Sequence, residues 1–134
     1  MIRVFVAGKP AVQGSKRYVG RGIMLDADKR LPAWRTSIRA AIIDEAGYPV
    51  RSLDGPVAID LEFILVRPES APKRRTPSAV KKPDIDKLVR AVLDAVTLSG
   101  AWRDDSQVVQ MTAKKRLAEL GETPGCWIAI GGIE

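Results

Sequence analysis

The chain is predicted to fold as one α/β (α+β) domain, a mixed sheet of about four strands with two helices packed against it in the order β-α-β-α-β-β. Three observations carry this reading. Val57, Ile59, Leu61, Phe63 and Leu65 alternate with Ala58, Asp60 and Glu62, the two-residue period of a strand with one buried face. Trp34, Ile38, Ala41, Ile42 and Ala46 recur at spacings of three and four, and Leu88, Val89, Val92, Leu93 and Val96 do the same; this is the signature of amphipathic helices. At 134 residues there is room for a single core and not for two ordinary ones, so residues 1–134 are taken as one domain.

In chain order, Ile2 to Ala7 reads as a first strand, broken by Gly8, Pro10 and Gly14. A basic loop follows, near 13–31, with a short hairpin expected around Gly20-Arg21-Gly22. Pro32 suits the first turn of a helix that runs to about Ala46, and Gly47 with Pro49 suits its end. The turn Asp54-Gly55-Pro56 leads into the strand at Val57. A second basic loop lies near 67–83. Arg67 to Lys82 holds three prolines, six basic residues and one acidic residue, and is expected to be a mobile arm because it offers little apolar surface to bury. The second helix starts after Pro83 and stops at Ser99-Gly100. Beyond Trp102-Arg103-Asp104-Asp105, the apolar Val109, Met111, Ala113 and Leu117 oppose the polar Gln110, Thr112, Lys114 and Arg116, a strand with one core-facing side. Glu122 to Gly125 turns the chain into a last strand, Cys126 to Ile130.

Composition narrows the function. The net charge of +6 suits a polyanionic partner such as nucleic acid or an anionic membrane. Aromatic residues make up 5%, too few for a surface that stacks many unpaired bases. No apolar run approaches the roughly 18 residues of a membrane span, and the N-terminus reads as a strand with no signal-peptide core, so a cytoplasmic protein without a membrane partner is expected. The chain has one cysteine, Cys126, and no histidine. That excludes an intrachain disulfide, Ser-His-Asp and Cys-His catalysis, and ordinary zinc sites. Carboxylate, lysine, arginine, tyrosine and hydroxyl chemistry remains, and clustered carboxylates without soft ligands suit Mg²⁺ or Mn²⁺.

Five of the sixteen acidic residues, at 84, 86, 94, 104 and 105, fall within Lys81 to Asp105. Asp84 stands where a helix N-cap is expected, and a cap and a metal ligand are compatible roles because the helix dipole keeps Asp84 and Asp86 ionised. Two aspartates one residue apart can converge on a cation, though D-x-D alone is common. Asp104-Asp105 reads either as a solvated turn or as the source of a third carboxylate, returned to the first two by the following strand. Asp105 is the better candidate, since it shares the parity of the apolar side of that strand. Asp94 lies about 12 Å along the helix from Asp86 and is assigned to an ion pair with Arg90.

The stretch KPDIDKLVRAVLDAV followed by WRDDSQVV resembles the RusA-like Holliday junction resolvases, small endodeoxyribonucleases often carried by prophages. In that family a [K/R]-P-D-x-D-N helix start precedes a W-x-D-D-x-Q-V strand start. The match runs roughly from Lys82 to Lys115, and the early GKPAVQGSKRY is similar to the family's basic loop after its first strand. The resemblance implies that Asp84, Asp86 and Asp105 are catalytic carboxylates that bind Mg²⁺, with Mn²⁺ as a substitute. The family's functional lysine four residues after the second aspartate is Arg90 here, and its usual asparagine directly after that aspartate is Lys87. Arg90 can hold a phosphate or stabilise developing charge but does not readily donate a proton. The implied activity is hydrolysis of a phosphodiester by metal-activated water, resolving four-way DNA junctions in recombination and repair by paired, symmetric cuts.

Junction binding of this kind rests on phosphate contacts and shape. The candidate contacts are Lys16, Arg17 and Arg21 in the first loop, and Lys73, Arg74, Arg75, Lys81 and Lys82 in the second. Two opposed cuts imply a homodimer, and so does the resemblance; Trp34 and the apolar parts of the last two strands are candidate contact faces. Tyr18 and Trp102 are candidates for stacking at the crossover, with a place in the core as the competing role. The alternatives are a non-catalytic basic DNA- or junction-binding module, in which the carboxylates only cap a helix and fill a turn, and an RNA-directed nuclease.

Overall fold

The structure, a computed structural model, describes residues 1–14, 16–18, 20–22, 24–26 and 28–133, with the backbone alone at 16–18 and 24–26. The elements are β1 (Ile2–Ala7), β2 (Lys16–Tyr18), β3 (Met24–Asp26), α1 (Leu31–Ala46), β4 (Val57–Leu65), α2 (Ile85–Ser99), a 3-10 turn (Asp105–Gln107), β5 (Val108–Leu117) and β6 (Gly125–Gly132). The main sheet has the spatial order β1-β6-β4-β5. β6 runs antiparallel to both β1 and β4, while β4 and β5 are parallel. Parallel neighbours need a crossover, and α2 supplies it. This is the mixed four-stranded sheet with two helices that the sequence predicts, in the predicted order. β2 and β3 form a separate two-stranded hairpin, turning through the expected Gly20 to Gly22.

One face of the sheet packs on the helices. Val57, Ile59, Leu61, Phe63 and Leu65 are buried from β4, Ile128 and Ile130 from β6, and Ile38 and Ile42 from α1. Leu88, Val92 and Val96 of α2 have no exposed surface, and each fully buried side chain of this size contributes about 1.5–3 kcal/mol. The polar stripe of the same helix leaves Asp86 and Arg90 in solvent. Gly100 ends α2 in the left-handed conformation, φ 86°, where a side chain would be strained. The other face of the sheet carries Asp60, Glu62, Thr112 and Lys114 and stays open. Among the described residues no helix is long and apolar enough to cross a membrane.

Several expectations are corrected. Trp102 is 1% exposed and its Nε1 donates to Thr97 Oγ1 at 2.7 Å, so it locks the end of α2 and cannot stack on DNA. Trp34, on the inner side of α1, is likewise buried, which removes it as a dimer face. Asp94 pairs not with Arg90 but with the loop after β1 and with α1: its carboxylate accepts from Gln13 Nε2 and lies 4.0 Å from Arg35, because that loop passes over this face of α2. The arm at 67–82 has a defined course. Arg67 donates from one nitrogen to Thr76 Oγ1 at 2.7 Å and the Ala118 carbonyl at 3.1 Å, and from the other to the carbonyls of Pro72 and Arg75. A guanidinium with five donors can order a loop that has no apolar face of its own, which a composition argument does not anticipate.

Candidate functional site

Asp84 occupies the N-cap position of α2, as its place after Pro83 predicts, but its side chain makes no cap hydrogen bond. The carboxylate is half exposed and lies 3.9 Å from Lys87 Nζ. Asp86, in the first turn, is exposed and has no hydrogen-bond or ion-pair partner among the described residues. Two carboxylates therefore stand side by side at the N-terminal, positive end of a 15-residue helix. Arg90 is one turn further along, exposed beside the loop after β1. That loop is pinned to the helix by the Gln13 amide, which donates to the Lys87 carbonyl at 3.1 Å.

The third carboxylate is elsewhere. Asp105 sits in the 3-10 turn beyond the other end of α2, so a helix of 15 residues, about 22 Å long, separates it from Asp84. The strand does return beside the helix, but it begins at the helix's C-terminal end. What it delivers to the helix start is Lys115, whose Nζ donates to the carbonyls of Lys81 and Pro83 at 2.8 Å each. The parity that favoured Asp105 also fails, because the 3-10 turn interrupts the strand before Val108. The choice between the two neighbours nevertheless has a structural basis. Asp104 is consumed in a capping box, accepting from Ser106 N at 3.0 Å while Gln107 reaches back to the Asp104 amide. Those hydrogen bonds from Ser106 hold the Asp104 carboxyl below its ordinary range. Asp105 is exposed and has no partner among the described residues.

The donor set suits a hard divalent cation in kind, since all three groups are carboxylates. It does not fit in place within one protomer: among the described residues no group of three acidic or cysteine side chains lies close enough to share a metal ion.

Asp84 and Lys87 also form one end of a cleft of about 1040 Å³ between the arm, the end of β4 and the loops around Lys9 and Arg30. Lys9, Lys29, Arg30, Lys81, Lys82 and Lys87 line it against two acids, Asp28 and Asp84. Arg30 is partly committed, pairing with Asp28 at 3.0 Å. Burial raises the Asp28 carboxyl, but amide donors from Arg30 and Val12 and the Arg30 charge outweigh it, and the net shift is downward. The surplus of cations gives this cleft a positive charge, with Asp84 among its lining residues.

Of the basic residues singled out from sequence, Lys81 and Lys82 line this cleft. Lys73, Arg74 and Arg75 are exposed on the arm, and Arg21 is exposed at the tip of the β2–β3 hairpin with φ 53°. The side chains of Lys16, Arg17 and Tyr18 lie outside the described residues. Sequence reading missed Lys9, which stands alone in sequence, and Lys29, at the end of the first basic loop; the fold brings both to the cleft. It also missed Lys115, hidden among the alternating charges of β5, and Arg67, which looked like one more charge of the arm.

No curated protein matches the chain. The model of the family described as endodeoxyribonuclease RusA matches residues 7–130, a span that takes in both aspartate clusters, the basic cleft, both helices, β4, β5 and most of β6. The chain belongs to the RusA endodeoxyribonuclease family.

Proposed function

We propose that this protein is a Mg²⁺-dependent homodimeric endodeoxyribonuclease that resolves four-way DNA junctions by paired, symmetric phosphodiester hydrolysis, with Mn²⁺ as a substitute metal. The observation that carries the reading is the pair of exposed aspartates, Asp84 and Asp86, at the end of a cation-lined cleft in a chain of this family. Asp84 and Asp86 of one protomer and Asp105 of a second copy are the metal-holding carboxylates, since one protomer keeps them a helix apart. A bound Mg²⁺ would supply Lewis-acid chemistry to the scissile phosphate and its attacking water.

The chain's own residues do the rest. Lys81 and Lys82, with Lys9 and Lys29 across the cleft, hold a phosphate backbone and set its register without reading bases. Lys87 and Arg90, one residue and one turn beyond Asp86, face the phosphate that reaches the aspartates. Arg90 stabilises added negative charge there. Lys73, Arg74, Arg75 and Arg21 contact neighbouring arms of the junction, with Lys16 and Arg17 beside the hairpin.

The test is cleavage of a labelled synthetic four-way junction beside a linear duplex of the same sequence and a structured RNA, with Mg²⁺ and with chelator. Symmetric nicks in the junction alone, lost on chelation, are expected. Tight junction binding with no cleavage in either metal would replace this reading with the non-catalytic binding module, and equal cutting of the RNA would replace it with an RNA-directed nuclease.

A further inference from the structure

The basic excursion after β1 is tied at its base, where the Val12 amide donates to Asp28 Oδ2 at 3.1 Å. Gln13 is the first residue beyond that tie, and its amide and both polar atoms of its side chain are taken up by α1 and α2. The backbone amide donates to the Lys87 carbonyl at 3.1 Å. Nε2 donates to Asp94 Oδ2, and Oε1 accepts from Arg35 Nη2 at 2.6 Å. Gln13 thus bridges a carboxylate on α2 and a guanidinium on α1 that are themselves 4.0 Å apart. An amide side chain suits this place because it offers a donor to one and an acceptor to the other at once. Arg35 is constrained by the arrangement: its Nε is buried without a hydrogen-bond partner among the described residues, a state that folded proteins mostly avoid. The next residue lies where the anchor leads. Gly14 has φ 117°, and a Cβ there would stand 3.3 Å from Arg90 Nη1 and 3.8 Å from Lys87 Cγ. The backbone that follows Gln13 is therefore laid against two cationic side chains of α2.

We propose that Gln13 is a positioning residue for phosphodiester hydrolysis: tied to α1 and α2, it sets the loop at Gly14 against Lys87 and Arg90 and so fixes where their charges stand relative to Asp84 and Asp86. This rests on the nuclease reading above and adds to it a residue that touches neither metal nor phosphate. Long cationic side chains in solvent sample many rotamers, and a charge displaced by an ångström loses much of its value to a transition state. A loop backbone laid along Arg90 removes part of that freedom. Binding rests on the many cations of the arm and the cleft, and the tie between Val12 and Asp28 still closes the base of the hairpin without Gln13. Loss of the anchor therefore slows the cutting of bound DNA more than it releases the DNA.

A charge exchange tests this. Gln13→Glu keeps the length of the side chain and the acceptor for Arg35, but sets a carboxylate against Asp94 with no proton between them. Adding Asp94→Asn restores a donor and an acceptor at the net charge of the wild type. Gln13→Glu alone should lower the single-turnover cleavage rate at saturating enzyme about 100-fold while junction affinity stays within a few fold, and the doubly substituted chain should cut at close to the wild-type rate. Amide hydrogen exchange at residue 13, followed by NMR, reads the anchor without cleavage. It should be slow in wild type, about tenfold faster in Gln13→Glu, and slow again when Asp94→Asn is added. Equal cleavage by wild type and Gln13→Glu, or a folded double variant that regains slow exchange but no activity, overturns the proposal and leaves the nuclease reading in place. Fast exchange at residue 13 in wild type also overturns it. A wild type that cuts no DNA, with exchange following the expected pattern, removes the nuclease reading and with it this role, and leaves Gln13 as a structural anchor.

Discussion

Lys115 on β5 holds the approach to α2 from across the fold, its Nζ donating to the carbonyl oxygens of Lys81 and Pro83 at 2.8 Å each. A charged donor shared by two carbonyls fixes the segment that ends at Asp84. Hydrogen bonds to charged groups contribute roughly 1.5–3 kcal/mol, so Lys115→Met, which keeps the aliphatic stem, should lower stability in urea denaturation by about 1–3 kcal/mol. Junction cleavage should fall at least tenfold at a temperature where the variant is fully folded. Cleavage that is unaffected would mean that the position of Asp84 does not depend on this contact.

The separation of Asp84 from Asp105 by the length of α2 makes a complementation experiment decisive. Asp84→Asn and Asp105→Asn should each abolish cutting and leave junction affinity within a few fold. In a mixed dimer of the two variants, one composite site keeps Asp84 and Asp86 from one chain and Asp105 from the other. Mixing them should therefore restore nicking of a single strand, to about a quarter of wild-type sites when chains pair at random. Recovery of no activity, with exchange of subunits verified, would place all three carboxylates in one protomer.

Arg67 organises the arm that carries Lys73, Arg74 and Arg75 by donating to Thr76, Ala118, Pro72 and Arg75. Thr76 extends the brace by donating to Glu119 at 2.5 Å. Arg67→Gln keeps a polar side chain of moderate length but cannot span these acceptors. It should weaken junction binding about tenfold and reduce the slope of log affinity against log salt, because disordered lysines and arginines no longer displace counterions in register. An unchanged salt slope would show that the arm makes no phosphate contacts.

The regular elements were legible because each rests on local signals: the alternation in β4, the three-and-four spacing in α1 and α2, and the Gly100 stop are all written within a few residues. The position of Asp84 and Asp86 at a helix start was legible for the same reason. What the sequence hid depends on the path between elements. Asp105 lies 19 residues after Asp86 by number, and only the direction in which β5 returns decides whether the two meet in one chain. The partner of Asp94 was misassigned because Arg90 is a helix neighbour while Gln13 and Arg35 arrive from other elements. Lys115 and Arg67 act on backbone carbonyls, acceptors that every residue has and that leave no pattern in the side chains.

The turn between β5 and β6 gives the fold an acid-sensitive brace. Both carboxylate oxygens of Glu122 accept from Arg116, at 2.6 and 2.7 Å. These hydrogen bonds, helped by the Glu119 amide, lower the Glu122 carboxyl to about 2 from an ordinary 4.5. The folded state thus binds this proton less readily than the unfolded chain does. Its contribution is complete above about pH 5 and is lost as the pH falls through 4.5 toward 2. Arg116 stays charged across this range. With both side chains roughly a third exposed, solvent screening limits the effect to about 1 kcal/mol. Glu122→Gln should therefore lower stability by that amount at pH 7 and flatten the stability profile between pH 5 and 2, measured by urea denaturation at each pH. A variant profile as steep as wild type would assign the acid sensitivity to other carboxylates.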